Sequence, residues 1–85
     1  ELQFRAEARR NKLLGLWGAG LMGKSGDDAA AYAKEVVASD FEEAGDADVF
    51  RKISADLGDK ADAGAIRTQM AALMVEAKRQ LMNEI

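Results

Sequence analysis

Gly18-Ala-Gly-Leu-Met-Gly23-Lys24-Ser25 satisfies the phosphate-loop pattern G-x-x-x-x-G-K-[ST] without a mismatch. How this window is read decides the fold. A working phosphate loop joins a β-strand to a helix, so that successive backbone N–H groups curl around the phosphates. The residues before this window, Arg9-Arg10-Asn-Lys-Leu-Leu-Gly-Leu-Trp17, read as helix instead. No strand pattern elsewhere supplies a parallel sheet. The alternative is a helix end. Gly23 and Gly26 tolerate left-handed backbone there, and Ser25 or Asp27 caps the helix that follows.

Outward from this window the chain reads as four helices. Proline is absent and helix-forming residues dominate. The first helix is expected over about 2–21. The second is expected over about 27–44, with Ala33, Val37, Phe41 and Ala44 on its inner face. The third runs over about 48–57. Asp46 or Asp48 caps it, Val49, Phe50, Ile53 and Leu57 form its stripe, and Gly58 stops it. The fourth starts at Asp62 or Ala63 and runs to about Asn83, with Ile66, Met70, Leu73, Ala77 and Leu81 facing inward. Short connections between long helices favour antiparallel neighbours. The expected fold class is therefore all-α, a single small four-helix bundle over residues 1–85.

Composition removes several chemistries. The 85-residue chain has no cysteine and no histidine. Disulfides, thiolate zinc sites, Ser-His-Asp triads and imidazole acid–base chemistry are excluded together. The longest uncharged run, 13–23, is too short for a membrane span and carries four glycines. The chain begins at Glu1 inside a helical pattern, so it reads as part of a longer protein. Its charge is uneven. Residues 1–24 sum to +3, residues 25–62 to −7 and residues 63–85 to +1. A basic arm beside an acidic middle points to a protein partner or an internal helix match. Nucleic acid is not the expected partner, because the net charge is −3 and only Phe4 and Trp17 in the basic arm could stack on bases.

Three constellations carry candidate functions. Arg5, Arg9 and Lys12 recur at helical spacing and form a basic stripe on helix one. It is either a solvated face or a docking face for an acidic partner or for phosphate oxygens. Trp17 is expected to be a largely buried anchor, with Arg10 two turns before it on the same face and in reach of a cation–π contact. Lys24 and Ser25 stand at the start of helix two, where free N–H groups and the helix dipole favour an anion. Arg9, Arg10, Trp17, Lys24 and Ser25 are thus the candidate nucleotide-binding residues. Asp27 and Asp28 oppose an anion there. Asp40, Glu42, Glu43, Asp46 and Asp48 form an acidic cluster without the register of a calcium loop, and read as caps and solvated face. No metal site and no catalytic residue is expected.

Several blocks carry a resemblance. They are Phe4-Arg-Ala-Glu-Ala-Arg-Arg-Asn-Lys-Leu-Leu-Gly-Leu-Trp17, Gly23-Lys-Ser-Gly-Asp-Asp28, Ala31-Tyr-Ala-Lys-Glu-Val-Val37, Asp40-Phe-Glu-Glu-Ala-Gly-Asp46, Asp48-Val-Phe-Arg-Lys52 and Asp56-Leu-Gly-Asp-Lys-Ala-Asp62. In this order they resemble the zeta subunit of alphaproteobacterial F-type ATP synthases over essentially the whole chain. The resemblance implies a four-helix bundle and an inhibitor of ATP hydrolysis by the catalytic head of the enzyme, on the cytoplasmic side of the membrane. It also implies ADP or ATP as a ligand of the bundle, with no cofactor required and no direct membrane insertion. In that family the inhibitory element lies upstream of the block that begins here near Phe4, so most of it is expected to be missing from this chain. Two other readings are a minimal phosphate-loop nucleotidase, which would turn over ATP through Lys24, and a helical adaptor with no nucleotide link.

Overall fold

The computed structural model describes residues 1–41 and 45–84. Its four helices are α1 (Leu2–Leu21), α2 (Gly26–Ala38), α3 (Ala47–Leu57) and α4 (Ala63–Glu84), with one 3₁₀ turn at Gly58–Lys60. Among the described residues there is no strand. The fold is a small four-helix bundle in which α1 is central, α2 and α4 pack along it, and α3 touches all three.

The phosphate-loop window is a helix end. Met22 closes α1 and Gly23 takes a left-handed conformation at φ 78°. The Gly23 N–H donates to the Gly20 carbonyl at 3.1 Å, and the Lys24 N–H to the Ala19 carbonyl at 2.8 Å. This pair of bonds is a Schellman motif. It consumes two N–H groups that a phosphate loop would turn toward its ligand. Ser25 then occupies the cap of α2 in extended backbone, without a side-chain capping bond.

Helix α1 buries Ala6, Arg10, Asn11, Leu14, Gly15, Gly18 and Ala19. Small residues on this face let its neighbours approach closely. A side chain added at Gly15 would place its Cβ 2.6 Å from the Ala33 Cα, so backbone meets backbone there. At Gly18 the Ile53 Cδ1 fills the space that a Cβ would take. Leu14, Val36, Val49, Ile53, Leu57 and Ile66 form the fully enclosed centre.

The third and fourth helices follow their expected stripes. Val49, Ile53 and Leu57 of α3 are buried, and Phe50 is half-buried against them. Ile66, Met70, Ala77 and Leu81 of α4 are buried, with Leu73 packed at the margin. Asp62 caps α4, its Oδ1 accepting the Ala65 N–H at 2.7 Å.

Helix α2 departs from expectation. It ends at Ala38 rather than near residue 44, and Ala44 lies outside the described residues. Ser39 accounts for the stop. Its Oγ donates to the Val36 carbonyl at 2.7 Å, while its N–H is shared between the Glu35 and Val36 carbonyls. Phe41 therefore lies beyond the helix and is 83% exposed. The buried face is Tyr32, Ala33 and Val36, one position round from the expected stripe, and Val37 points to the rim. Trp17 is partly buried and packs against the edge of the core, while the innermost positions of α1 belong to Leu14 and Gly18.

Candidate functional site

The structure distributes the candidate residues over separate places. Arg9 reaches across the bundle to the end of α4. Its Nη1 donates to Glu84 at 2.7 Å and to Gln80 at 2.8 Å, so its fork is already occupied. The Glu84 contact holds the arginine above, and the glutamate below, their ordinary ranges. Arg10 points elsewhere and is only 5% exposed. Its Nε donates to Asn11 Oδ1 at 2.7 Å, and Asn11 in turn donates to Asp40. Among the described residues the two cation–ring contacts are Lys52 over Tyr32 and Arg67 over Phe50, so Arg10 does not lie over Trp17.

Lys24 and Ser25 are exposed at the α1–α2 turn. Helix rise of ~1.5 Å per residue puts the end of α1 about 17 Å beyond Arg10. One phosphate group cannot touch both. The five candidate nucleotide residues are therefore not gathered into one pocket. Trp17, Lys24 and Ser25 lie toward one end of α1, and Arg9 and Arg10 lie toward its middle and on different sides.

What the geometry does bring together is a long groove on the outer side of α1. One part, of about 450 Å³, is lined by Phe4, Arg5, Arg9, Lys12, Val37 and Glu84. The next part, of about 620 Å³, runs between α1 and α2 past Leu16, Ala30, Ala33, Lys34 and Val37. Lys12 and Val37 line both parts. Arg5 and Lys12 remain exposed at the lip, and Phe4 is 71% exposed beside them. Arg5 pairs with Glu1 on the surface, an exposed contact that adds little.

The family model for "ATPase inhibitor subunit zeta" matches residues 1–80. The chain belongs to this family. A protein whose structure was solved by NMR in solution is 56% identical over 100% of both chains, with a TM-score of 0.91. No curated protein matches it. The zeta match agrees with the reading of the sequence blocks and names an inhibitor family. Among the described residues no helix is long and apolar enough to cross a membrane.

In this zeta-family bundle two acids of the chain's middle, Glu35 and Asp56, join α2 to α3. Tyr32 on α2 donates its hydroxyl proton to Asp56 on α3 at 2.8 Å. Lys52 bridges Asp56 at 2.8 Å and Glu35 at 3.0 Å while lying 5.3 Å from the Tyr32 ring centre. Burial and the Asp56 contact push the Tyr32 hydroxyl far up. For Asp56 itself, burial pushes the carboxyl up, but hydrogen bonds from Lys52 and Tyr32, with Lys24 nearby, outweigh burial and hold it below its ordinary value of 3.8. Its contribution to stability is thus complete above the ordinary value and is lost as pH falls through the depressed one. Urea denaturation across acidic pH should show wild type losing stability below about pH 4, and Asp56→Asn losing less over the same interval. An identical acid profile for the two proteins would contradict this role.

Sequence reasoning found Arg5 and Lys12 but missed Leu16, Ala30 and Lys34. These become groove residues only when α2 lies beside α1. It also missed the neighbours of Arg10, because nothing in helical spacing announces a buried arginine.

Proposed function

We propose that this chain is the bundle of an inhibitor that represses ATP hydrolysis by the catalytic head of the F-type ATP synthase, on its cytoplasmic side. It docks through the basic face of α1 and takes ADP or ATP as a regulatory ligand, not as a substrate. The observation that carries the docking reading is the exposed set Phe4, Arg5 and Lys12 on a chain whose net charge is negative. Rim cations steer encounter with an acidic surface, and an exposed ring supplies an apolar anchor. Arg9 contributes less to docking, since Glu84 neutralises it.

For the nucleotide, the α1–α2 groove is the better place than the Gly23–Ser25 turn. Leu16, Ala30, Ala33 and Val37 offer apolar walls for a purine, and Lys12 and Lys34 stand at its edges for phosphate oxygens. The turn offers Lys24 alone, with two of its N–H groups spent and Asp27 and Asp28 close in sequence. Because Lys12 belongs to both parts of the groove, nucleotide and partner would compete there. Nucleotide would then shift the balance between docked and free states through its different affinity for each.

Binding of the chain to the purified catalytic head tests the docking face. Replacing Arg5 and Lys12 together by glutamate should weaken it about tenfold or more, since like charges set against an acidic surface cost several kcal/mol. Unchanged affinity would remove the face from the function. Titration of isotope-labelled chain with ADP and with ATP tests the ligand. Amides of Leu16, Ala30 and Lys34 should move, whereas movement confined to Lys24 and Ser25 would transfer the phosphate contacts to the turn. Steady phosphate release by the chain alone, abolished by Lys24→Ala, would restore the nucleotidase reading.

A further inference from the structure

Away from that groove, Arg10 and Arg67 face one small cleft of about 290 Å³, together with Asp46, Met70, Ala71 and Met74. We propose that this cleft is a binding site for a tetrahedral phosphate, either free orthophosphate or the terminal phosphate of a nucleotide. The proposal does not rest on a nucleotide in the α1–α2 groove, which lies on other residues.

Arg10 is the central observation. A guanidinium has five N–H donors. Here, at 5% exposure, it makes one hydrogen bond among the described residues, from Nε to Asn11. Its Nη1 stands 3.8 Å from Asp46 Oδ2, beyond hydrogen-bond distance. No buried side-chain nitrogen or oxygen among the described residues lacks a partner, so the remaining Arg10 donors are the part that opens on the cleft. Arg67 stands off the same carboxylate in the same way, its Nη1 3.9 Å from Asp46 Oδ1. Its Cζ lies 4.0 Å from the Phe50 ring centre, a cation–ring contact that holds the head of Arg67 beside the cleft. The Asn11–Asp40 bond at 3.0 Å holds Asn11, the acceptor for Arg10, from behind.

Two guanidinium forks thus share one carboxylate at long range. The trio carries one net positive charge in a chain that is otherwise acidic. The rest of the lining, Met70, Ala71 and Met74, has no side-chain group that competes strongly for these donors. A phosphate brings about two negative charges and several strong acceptor oxygens. It can take charge-assisted bonds from both forks, which one carboxylate at this distance does not satisfy. The cleft lies at the small end of ligand pockets, which run from roughly 300 Å³. That size suits a single phosphate group, with any nucleoside lying outside. Because Arg10, Asp46 and Arg67 come from α1, the cap of α3 and α4, a bound phosphate would also tie three helices together.

The test is a titration of the isotope-labelled chain with sodium phosphate against sodium chloride at equal ionic strength. It follows the Nε–Hε signals of Arg10 and Arg67, and the melting temperature. Saturable movement of both signals, with a rise in melting temperature, is expected. Arg67→Gln, at an exposed position, should weaken binding about tenfold or more by removing one charge-assisted fork. Asp46→Asn removes the competing carboxylate and should tighten binding several-fold. A parallel ADP titration separates the sources. Movement of the two signals at lower ADP than orthophosphate concentration assigns the terminal phosphate of a nucleotide, and movement with orthophosphate alone assigns the free ion. The proposal is overturned if neither probe moves the two signals at tens of millimolar, or if Arg67→Gln and Asp46→Asn both titrate like wild type.

Discussion

Ile53→Ala is expected to cost about 3–5 kcal/mol, the upper part of the range for a large-to-small change in a core. Ile53 is fully enclosed, and its Cδ1 covers bare backbone at Gly18. Truncation leaves a cavity whose floor is a glycine, with no side chain there to collapse into the gap. A chain of this length has only about 4–13 kcal/mol of total stability. The melting temperature should therefore fall by about 15–30 °C. Adding Gly18→Ala to the variant provides a check on the mechanism. With Ile53 truncated, the new methyl group meets nothing nearer than Tyr32 Cε2 at 3.6 Å and Leu57 Cδ2 at 3.8 Å. It should recover about 1 kcal/mol through helix propensity and partial filling. A wild-type melting temperature for Ile53→Ala would mean that α3 does not pack on α1 as described.

Gly15→Ala should destabilise the bundle by about 1–3 kcal/mol, although the same change in an open helix gains up to ~1 kcal/mol. The added Cβ would lie 2.6 Å from the Ala33 Cα, and that backbone cannot swing aside as a side-chain tip can. Helices α1 and α2 would have to separate, loosening Leu14 and Val36 as well. Gly20→Ala is the matched control. It is exposed in the same helix with nothing within 4 Å of the added atom, so it should leave stability unchanged or raise it. Chemical denaturation of the two variants should give shifts of opposite sign, or a loss for Gly15 beside no change for Gly20. Equal shifts would show that the close approach of α1 and α2 is not a constraint.

The number and limits of three helices were legible in the sequence. Gly23 and Gly58 end α1 and α3 because a left-handed residue cannot continue a helix, and this is a local property of the chain. The stripes of α3 and α4 were legible too, since apolar residues there recur with the helical period and have no competing face. The same locality settled the phosphate-loop window against its own motif. The residues before it form helix, so Gly23 and Lys24 return their N–H groups to α1 instead of to a ligand.

Other features became definite only when the helices met. Periodicity places a residue on its own helix but not against a neighbour. Tyr32 and Val36 rather than Val37 turned inward on α2, and a hydroxyl at Ser39 ended that helix before Phe41 could join the core. Glycine is a poor helix former by itself, yet Gly15 and Gly18 are the contacts through which α1 admits α2 and α3. The basic stripe was visible as a stripe. Its separation into an occupied Arg9 and the open Arg5 and Lys12 depended on Glu84, 75 residues away along the chain. Arg10 is the sharpest case. By default an arginine stays in water, because removing its charge from solvent is costly. It is buried here because folding brings Asn11, Asp46 and Arg67 around it from α1, the cap of α3 and α4, an arrangement that no local stretch of sequence encodes.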